Sequence, residues 1–226
     1  MKLSIVIPVL DEAANIVAAL NALAPLRVRG AEVIVVDGGS RDDTVALARP
    51  LADLVIGAQR GRAIQMNTGA KVANGDVLLF LHADTCLAAD ADRLILDGLA
   101  LSGRAWGRFD VAINGMHLLF PVIAWFMNTR SRLTGIATGD QAMFVTRQAF
   151  DAAGGFPQIA LMEDITLARK LKRISRPLCL HARVTTSGRR WETRGVVRTI
   201  LLMWRLRLAY FLGAKPEDLR RRYEAS

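Results

Sequence analysis

The run Leu3-Ser4-Ile5-Val6-Ile7-Pro8-Val9-Leu10-Asp11-Glu12 decides how the chain is read. Its apolar part is short and unbroken, and two acids follow at once. That is the pattern of a strand buried on both faces, too short for the apolar region of a secretory leader. The same rhythm recurs downstream. Strand-like runs appear at Glu32–Val36, Leu54–Ile56 and Val77–Leu81. Alanine-rich helical stretches lie between them, over Ala13–Leu23, Asp42–Ala48 and Arg62–Ala73. Ser40 or Asp42 can cap the second helix, and Gly75 can end the third. Alternating helices and almost wholly apolar strands predict an α/β domain with a mostly parallel central sheet and helices on both faces. Ligands of such sheets bind outside the carboxyl ends of the strands, and the polar clusters of this half follow strand ends.

Beyond residue 86 the pattern loosens. Asp90–Leu101 reads as a helix, Trp106–Ile113 as an alternating strand and Leu118–Asn128 as an apolar helix or wedge. Ala142–Thr146 reads as a strand, followed by a short helix to Ala153 and the Gly154-Gly155 turn. Asp164–Lys172 is predicted helical, Leu178–Leu180 extended, and Thr193–Leu212 a long basic-apolar helix. There is no Pro/Ser-rich linker and no internal repeat. A single domain over 1–226 is therefore expected, with a first half at 1–85, a second at 86–192 and a basic helix and tail at 193–226.

Composition narrows the class. At 226 residues, with 52% apolar and 23% charged, the chain is neither disordered nor collagen-like and is long enough to bury a full core. Its two cysteines, Cys86 and Cys179, form no Cys-x-x-Cys pair. This excludes a disulfide scaffold and a zinc ribbon and suits a reducing cytoplasm. The longest uncharged run, Val111–Thr129, contains Asn114, Gly115, His117 and Pro121 and makes a poor spanning helix. The net charge of +9 is concentrated at the end: residues 183–226 hold 11 Lys and Arg against 4 acids. A local basic tail points to a phosphate-bearing ligand or an anionic membrane surface. No nucleic-acid partner is expected, since stacked-aromatic and helix-turn-helix signatures are lacking.

Five clusters carry candidate chemistry, each with a plainer structural reading beside it. Pro8–Glu12 follows the first strand, where a carboxylate can bond a ribose hydroxyl or simply favour a helix N-terminus. In Val35–Asp42, Asp37 ends a strand before two glycines that allow close ligand approach, or form a capped turn. No Gly-x-Gly-x-x-Gly and no Walker A run is present. In Phe80–Thr85, Asp84 beside His82 could hold Mg²⁺ or Mn²⁺, or sit in a capped loop. Gly154–Pro157 and then Leu161–Asp164 place Glu163 and Asp164 at a helix start, as caps or as a proton acceptor. Ser187–Glu192 sets Arg189 and Arg190 beside Trp191, as a diphosphate clamp or a solvated loop.

In this order and spacing, the clusters resemble the family 2 glycosyltransferases of the GT-A fold, over roughly Leu3 to Trp191. The resemblance includes Gly61 to Asn67 and Ala73–Asp76. A narrower likeness is to the subgroup of arsenosugar-biosynthesis-type glycosyltransferases. It rests on Gln65-Met66-Asn67, Leu81–Thr85, Gly107–Asp110, Thr138–Gln141 and Arg190-Trp191-Glu192. The resemblance implies a nucleotide-binding first half and an acceptor and catalytic second half. It implies that Pro8 and Glu12 line the nucleoside pocket, that Asp37 bonds the base, and that Arg62 and Asn67 lie near the nucleotide. It further implies that Asp84 ligates a divalent metal, Mg²⁺ or Mn²⁺, bridging the diphosphate of a nucleoside-diphosphate sugar. Asp164 would be the general base, supported by Glu163, and Arg190 and Trp191 would match a donor-side motif. His82 stands where the family's first metal-motif aspartate is usual, so a ribose or metal contact is altered there. Ser187 replaces the first residue of the Arg-Trp motif, which argues against a processive synthase.

The expected reaction is an inverting, metal-assisted transfer of sugar to an acceptor hydroxyl. Asp110, Gly139 and Asp140 are expected on the acceptor side. Arg104, Arg108, Arg130 and Arg132 could favour an anionic acceptor, or be merely solvated. His117 and His181 read as structural, with His181 within conceivable reach of the metal. The acceptor is expected to be a small molecule or lipid-linked. The 193–212 helix either lies on an anionic membrane, holding a cytoplasmic enzyme peripherally on the inner membrane face, or packs on the core with a charged outer face. Nothing in the chain speaks to oligomeric state. Two rival classes are a silent sugar-nucleotide-binding protein of the same fold and a nucleotidyltransferase. The paired Asp84 and Asp164 disfavour the first. The lack of a Gly-rich basic loop after the first strand disfavours the second.

Overall fold

In the computed structural model, which describes residues 1–224 apart from the side chains of Arg190, Arg194 and Glu224, the opening run forms β1 (Leu3–Val9) at the heart of the sheet. Leu3, Ile5, Ile7 and Val9 enter one core, with Ile16, Leu20 and Leu23 of α1 (Ala13–Val28). Val6 enters the other, with Ala63, Met66 and Ala70 of α3 (Arg62–Val72). Period-two alternation thus buries both faces of one strand, which is why its sequence is apolar throughout.

The other elements follow in chain order. β2 (Glu32–Asp37), α2 (Thr44–Ala48) and β3 (Leu54–Gly57) precede α3, and β4 (Val77–Phe80) and the short β5 (Thr85–Cys86) follow it. Then come α4 (Ala91–Ser102), β6 (Trp106–Asn114), α5 (Phe120–Thr134), a 3-10 turn at Gly139–Gln141, β7 (Phe144–Thr146) and α6 (Arg147–Ala152). The chain ends with α7 (Glu163–Leu171), β8 (Leu178–Ser187), α8 (Arg189–Arg194), α9 (Val196–Phe211) and α10 (Pro216–Glu224). The strand order is β3-β2-β1-β4-β7-β6-β8-β5. β1, β2, β3 and β4 pair in parallel, as do β6 and β8; β7 is antiparallel to both its neighbours, and β5 to β8.

Several elements differ from expectation. α5 runs on to Thr134 and stops at left-handed Gly135. α3 ends at Val72, short of Gly75. β8 extends to Ser187 because β6 and β5 both pair with it. The predicted helix over 193–212 is broken at Gly195, whose φ of +82° suits glycine, so α8 and α9 are separate. The tail adds α10, which the sequence reading did not anticipate. Among the described residues no helix is long and apolar enough to cross a membrane.

Candidate active site

The site is built at the carboxyl ends of β1, β2 and β4. At the β1–α1 junction Asp11 adopts a left-handed φ of 54°. The loop after β2 supplies the caps for α1. Ser40 Oγ accepts from the Asp11 N–H, Thr44 Oγ1 from Glu12 and Asp42 Oδ2 from Ala13. These acceptors satisfy the free N–H groups of the helix start. Asp37 closes the same loop, accepting from the N–H groups of Gly39 and Ser40 and from Ser40 Oγ. Gln65 of α3 donates to the carbonyls of Val9 and Val36, 2.8 Å each, and so ties the ends of β1 and β2 together.

A cavity of about 530 Å³ opens beside these strand ends. Pro8, Glu12, Arg62, His82, Asp84 and Glu163 all line it. A small adjoining recess is shared by Arg62, His82 and Glu163 and also takes in Gly139 and Asp164. Residues from the first and second halves therefore meet around one hollow. Asp164 reaches it from the start of α7, where its Oδ2 accepts from the Gly139 N–H at 2.8 Å and its Oδ1 from the Ile165 N–H. The residue before this pair, Met162, sits at φ 70°. Leu206 of α9 and Leu219 of α10 pack around Met162 and hold that uncommon conformation.

The electrostatics separate the two adjacent acids. Glu163 is buried and its Oε1 meets Arg62 Nε at 2.9 Å. Burial pushes its carboxyl up, against the pull of the Arg62 guanidinium. Asp164 is only half-buried. Burial and Arg62 hold the His82 imidazole below its ordinary range, although Asp140, Asp84 and Asp164 pull it upward. Asp140 Oδ1 lies 3.9 Å from His82 Nδ1. Nearby, the Nε and Nη2 atoms of Arg130 are buried and have no hydrogen-bond partner among the described residues, while Nη1 lies 3.5 Å from the Ile136 carbonyl. Burial and the facing Arg207 push this guanidinium down to about 10, with Asp164 opposing.

Other expected residues fall elsewhere. Asn67 Nδ2 donates to the Phe156 carbonyl and its Oδ1 accepts the Phe156 N–H, so it pins the Gly154–Pro157 turn to α3. Asp110 neutralises the fully buried Arg108 and also bonds Arg132 at 2.6 Å. Arg104 donates to the Pro177 carbonyl. Exposed His181 lies in a bulge of β8 opposite Phe109 and Asp110 and sits by Asp110 and Arg132. His117 packs on Phe120. Trp191 joins the apolar cluster of Phe120, Ile123 and Val196 and does not line the cavity. The Arg190 side chain lies outside the described residues.

The sequence reading missed Arg60, Glu217, Arg220 and Tyr223, which also line the cavity. The last three belong to α10, whose only signal was a buried Leu219 amid charged residues. A divalent cation fits the donors present. The exposed Asp84 carboxylate lines the cavity and, among the described residues, takes a long 3.3 Å contact from Thr85 Oγ1. Hard cations need few protein carboxylates when ligand phosphates complete the shell. Among the described residues, no cluster of three or more His, Cys, Asp or Glu side chains is set to hold a metal alone.

The architecture is the GT-A fold, in which an α/β sheet carries its ligand site at the strand ends. The chain belongs to glycosyl transferase family 2, whose model matches residues 4–152. It is 38% identical, over 98 residues, to a PGL/p-HBAD biosynthesis glycosyltransferase of Mycobacterium bovis; the match covers 40% of this chain and 38% of that protein. The chain thus spans well under half the length of that curated relative. The S. aureus TarS 1–349 structure in complex with UDP-GlcNAc superposes with a TM-score of 0.68 at 19% identity, covering 83% of this chain and 58% of the other. Mannosyltransferase PcManGT from Pyrobaculum calidifontis, in complex with GDP-Man and Mn²⁺, gives 0.67 at 20% identity, covering 98% and 68%. At such identities the structural likeness speaks to fold alone.

Proposed function

We propose that the protein is an inverting glycosyltransferase that moves a sugar from a nucleoside-diphosphate sugar to an acceptor hydroxyl, with Asp164 as general base. One observation carries this reading: Asp164 and the cavity-lining Arg62, His82 and Glu163 share one recess off a hollow that also holds Asp84. Half-buried Asp164 can meet an acceptor, whereas Glu163 is committed to Arg62. In the reaction the acceptor oxygen attacks the anomeric carbon as Asp164 takes its proton. The bond to the diphosphate breaks and inverts that centre. Arg62 offsets charge on the departing diphosphate. Asp84 would hold Mg²⁺ or Mn²⁺, which supplies further charge neutralisation at the diphosphate. Pro8 and Glu12 are assigned to the nucleoside end, and Gly139 and Asp140 to the acceptor side.

Finer parts of the reading rest on sequence motifs. We further propose an arsenosugar-biosynthesis-type glycosyltransferase that acts on a small-molecule or lipid-linked acceptor in the cytoplasm. Arg130, within the electrostatic reach of Asp164, is the arginine that would favour an acceptor bearing an anionic group. The test is turnover of UDP-, GDP- and dTDP-sugars, with and without Mn²⁺, in the wild type and in Asp164→Asn. General-base loss should lower turnover by about 10²–10⁴-fold with donor binding nearly unchanged. Wild-type turnover in Asp164→Asn would refute the assignment.

A further inference from the structure

Two helices outside the cavity expose what soluble proteins usually cover. On α9 the exposed residues Val197, Leu201, Trp204, Leu208 and Phe211 fall within about an 80° arc at helical spacing. On α5, Val122, Trp125, Phe126 and Leu133 do the same over about 100°. Trp125 and Phe126 are each 59% exposed, and Trp204 is 66%. The outer face of α9 is therefore apolar, with Arg198 and Arg205 along one edge and Arg207 along the other, unlike a helix packed on the core with a charged exterior.

The two helices adjoin at their starts. Phe120 and Ile123 of α5 pack with Val196 and Ile200 of α9. Further along, Arg130 of α5 senses Arg207 of α9. The helices thus meet at their starts and come within electrostatic range of each other further along. On each helix the stripe lies away from the buried residues, Phe120, Ala124 and Ser131 of α5 and Val196, Thr199 and Leu206 of α9.

We propose that the α5 and α9 stripes dock on an anionic lipid surface. The charge is complementary: Arg198 and Arg205 of α9 are exposed, and neither helix carries an Asp or Glu. Arg169 lies 4.3 Å from the Phe211 ring at the far end. Exposed Trp and Phe flanked by arginine suit the headgroup–acyl boundary, where apolar burial and attraction to anionic lipid add. The proposal stands apart from the assignment of Asp164, because no residue of the stripes belongs to the cavity.

The test is flotation of the purified protein with phosphatidylcholine vesicles, with and without phosphatidylglycerol, at low and high salt. The wild type is expected to float with phosphatidylglycerol vesicles and less so at high salt. Tryptophan emission should shift to the blue on binding. Trp204→Glu and Trp125→Glu alter exposed side chains and should each cut vesicle binding by about tenfold or more. Arg198→Glu with Arg205→Glu should abolish the preference for anionic vesicles. Nucleotide-induced thermal stabilisation should stay at the wild-type level in all of them, which separates this proposal from the catalytic one. Two results overturn the docking proposal: wild-type protein that stays in solution with anionic vesicles, or a sedimenting dimer that Trp204→Glu dissociates.

Discussion

The backbone N–H of Gly139 donates to Asp164 Oδ2 at 2.8 Å, across 25 residues of chain. The same glycine faces His82. A Cβ on Gly139 would lie 2.7 Å from the imidazole Cε1 and Nε2, and 3.9 Å from Asp164 Oδ2. One position without a side chain thus brings the proposed base and the histidine of the metal-type motif onto the same recess.

Gly139→Ala should therefore disturb the site more than the fold. The added methyl must push the His82 ring aside or shift the turn that holds Asp164. Displacement of reacting groups by a fraction of an ångström to an ångström costs about 10–100-fold in rate. The expected result is a fall in kcat with the nucleotide-induced rise in Tm retained. Equal kcat in the variant would show that the contact is not needed.

Asp110 predicts a stability effect. Arg108 is fully buried, and its charge is met by Asp110 while Nε donates to Ser131 Oγ. Removing one partner of a buried pair strands the other, at about 3–5 kcal/mol. Asp110→Ala should lower the urea midpoint accordingly. Arg132→Ala, on the partly exposed side of the same carboxylate, should cost about 1 kcal/mol or less. Similar losses in the two variants would refute this division.

Gly69 tests the packing of α3 on the sheet. Alanine in a helix interior is ordinarily favoured over glycine by about 1 kcal/mol. Here a Cβ would lie 2.4 Å from Val6 Cγ1 and 2.9 Å from Val36 Cγ2. Overpacking of this kind typically costs about 1–3 kcal/mol, so the net sign should be destabilising. A higher Tm for Gly69→Ala would contradict it.

Acid stability should depend on Asp92. Its hydrogen bonds from Arg29, at 2.7 and 2.8 Å, hold its carboxyl below the ordinary range. A depressed folded pKa gives stability that is present above the unfolded value of about 3.9 and is lost as pH falls through the folded value. Asp92→Asn should be less stable than the wild type at pH 7. The gap in urea midpoint should close as pH drops below about 4. A constant gap across that window would rule out this linkage.

The sequence by itself determined the sheet and the ends of its first strands. Ile5–Val9, Val33–Val36 and Val77–Phe80 are apolar on both faces, as a parallel strand covered by helices on either side requires. It also picked out Pro8, Glu12, His82, Asp84, Glu163 and Asp164, because polar clusters at strand ends and helix starts are local signals, and Arg62 through the family resemblance alone. Tertiary structure decided what those signals could not. Asn67 serves a turn 89 residues away, Asp110 is spent on a buried arginine, and Trp191 packs away from the cavity. α10 enters the cavity wall only because Leu219 is buried against Leu161 and Met162. The outward turn of the α5 and α9 stripes was equally hidden. An amphipathic period tells which residues share a face, but only the packing of neighbouring helices tells whether that face meets core or solvent.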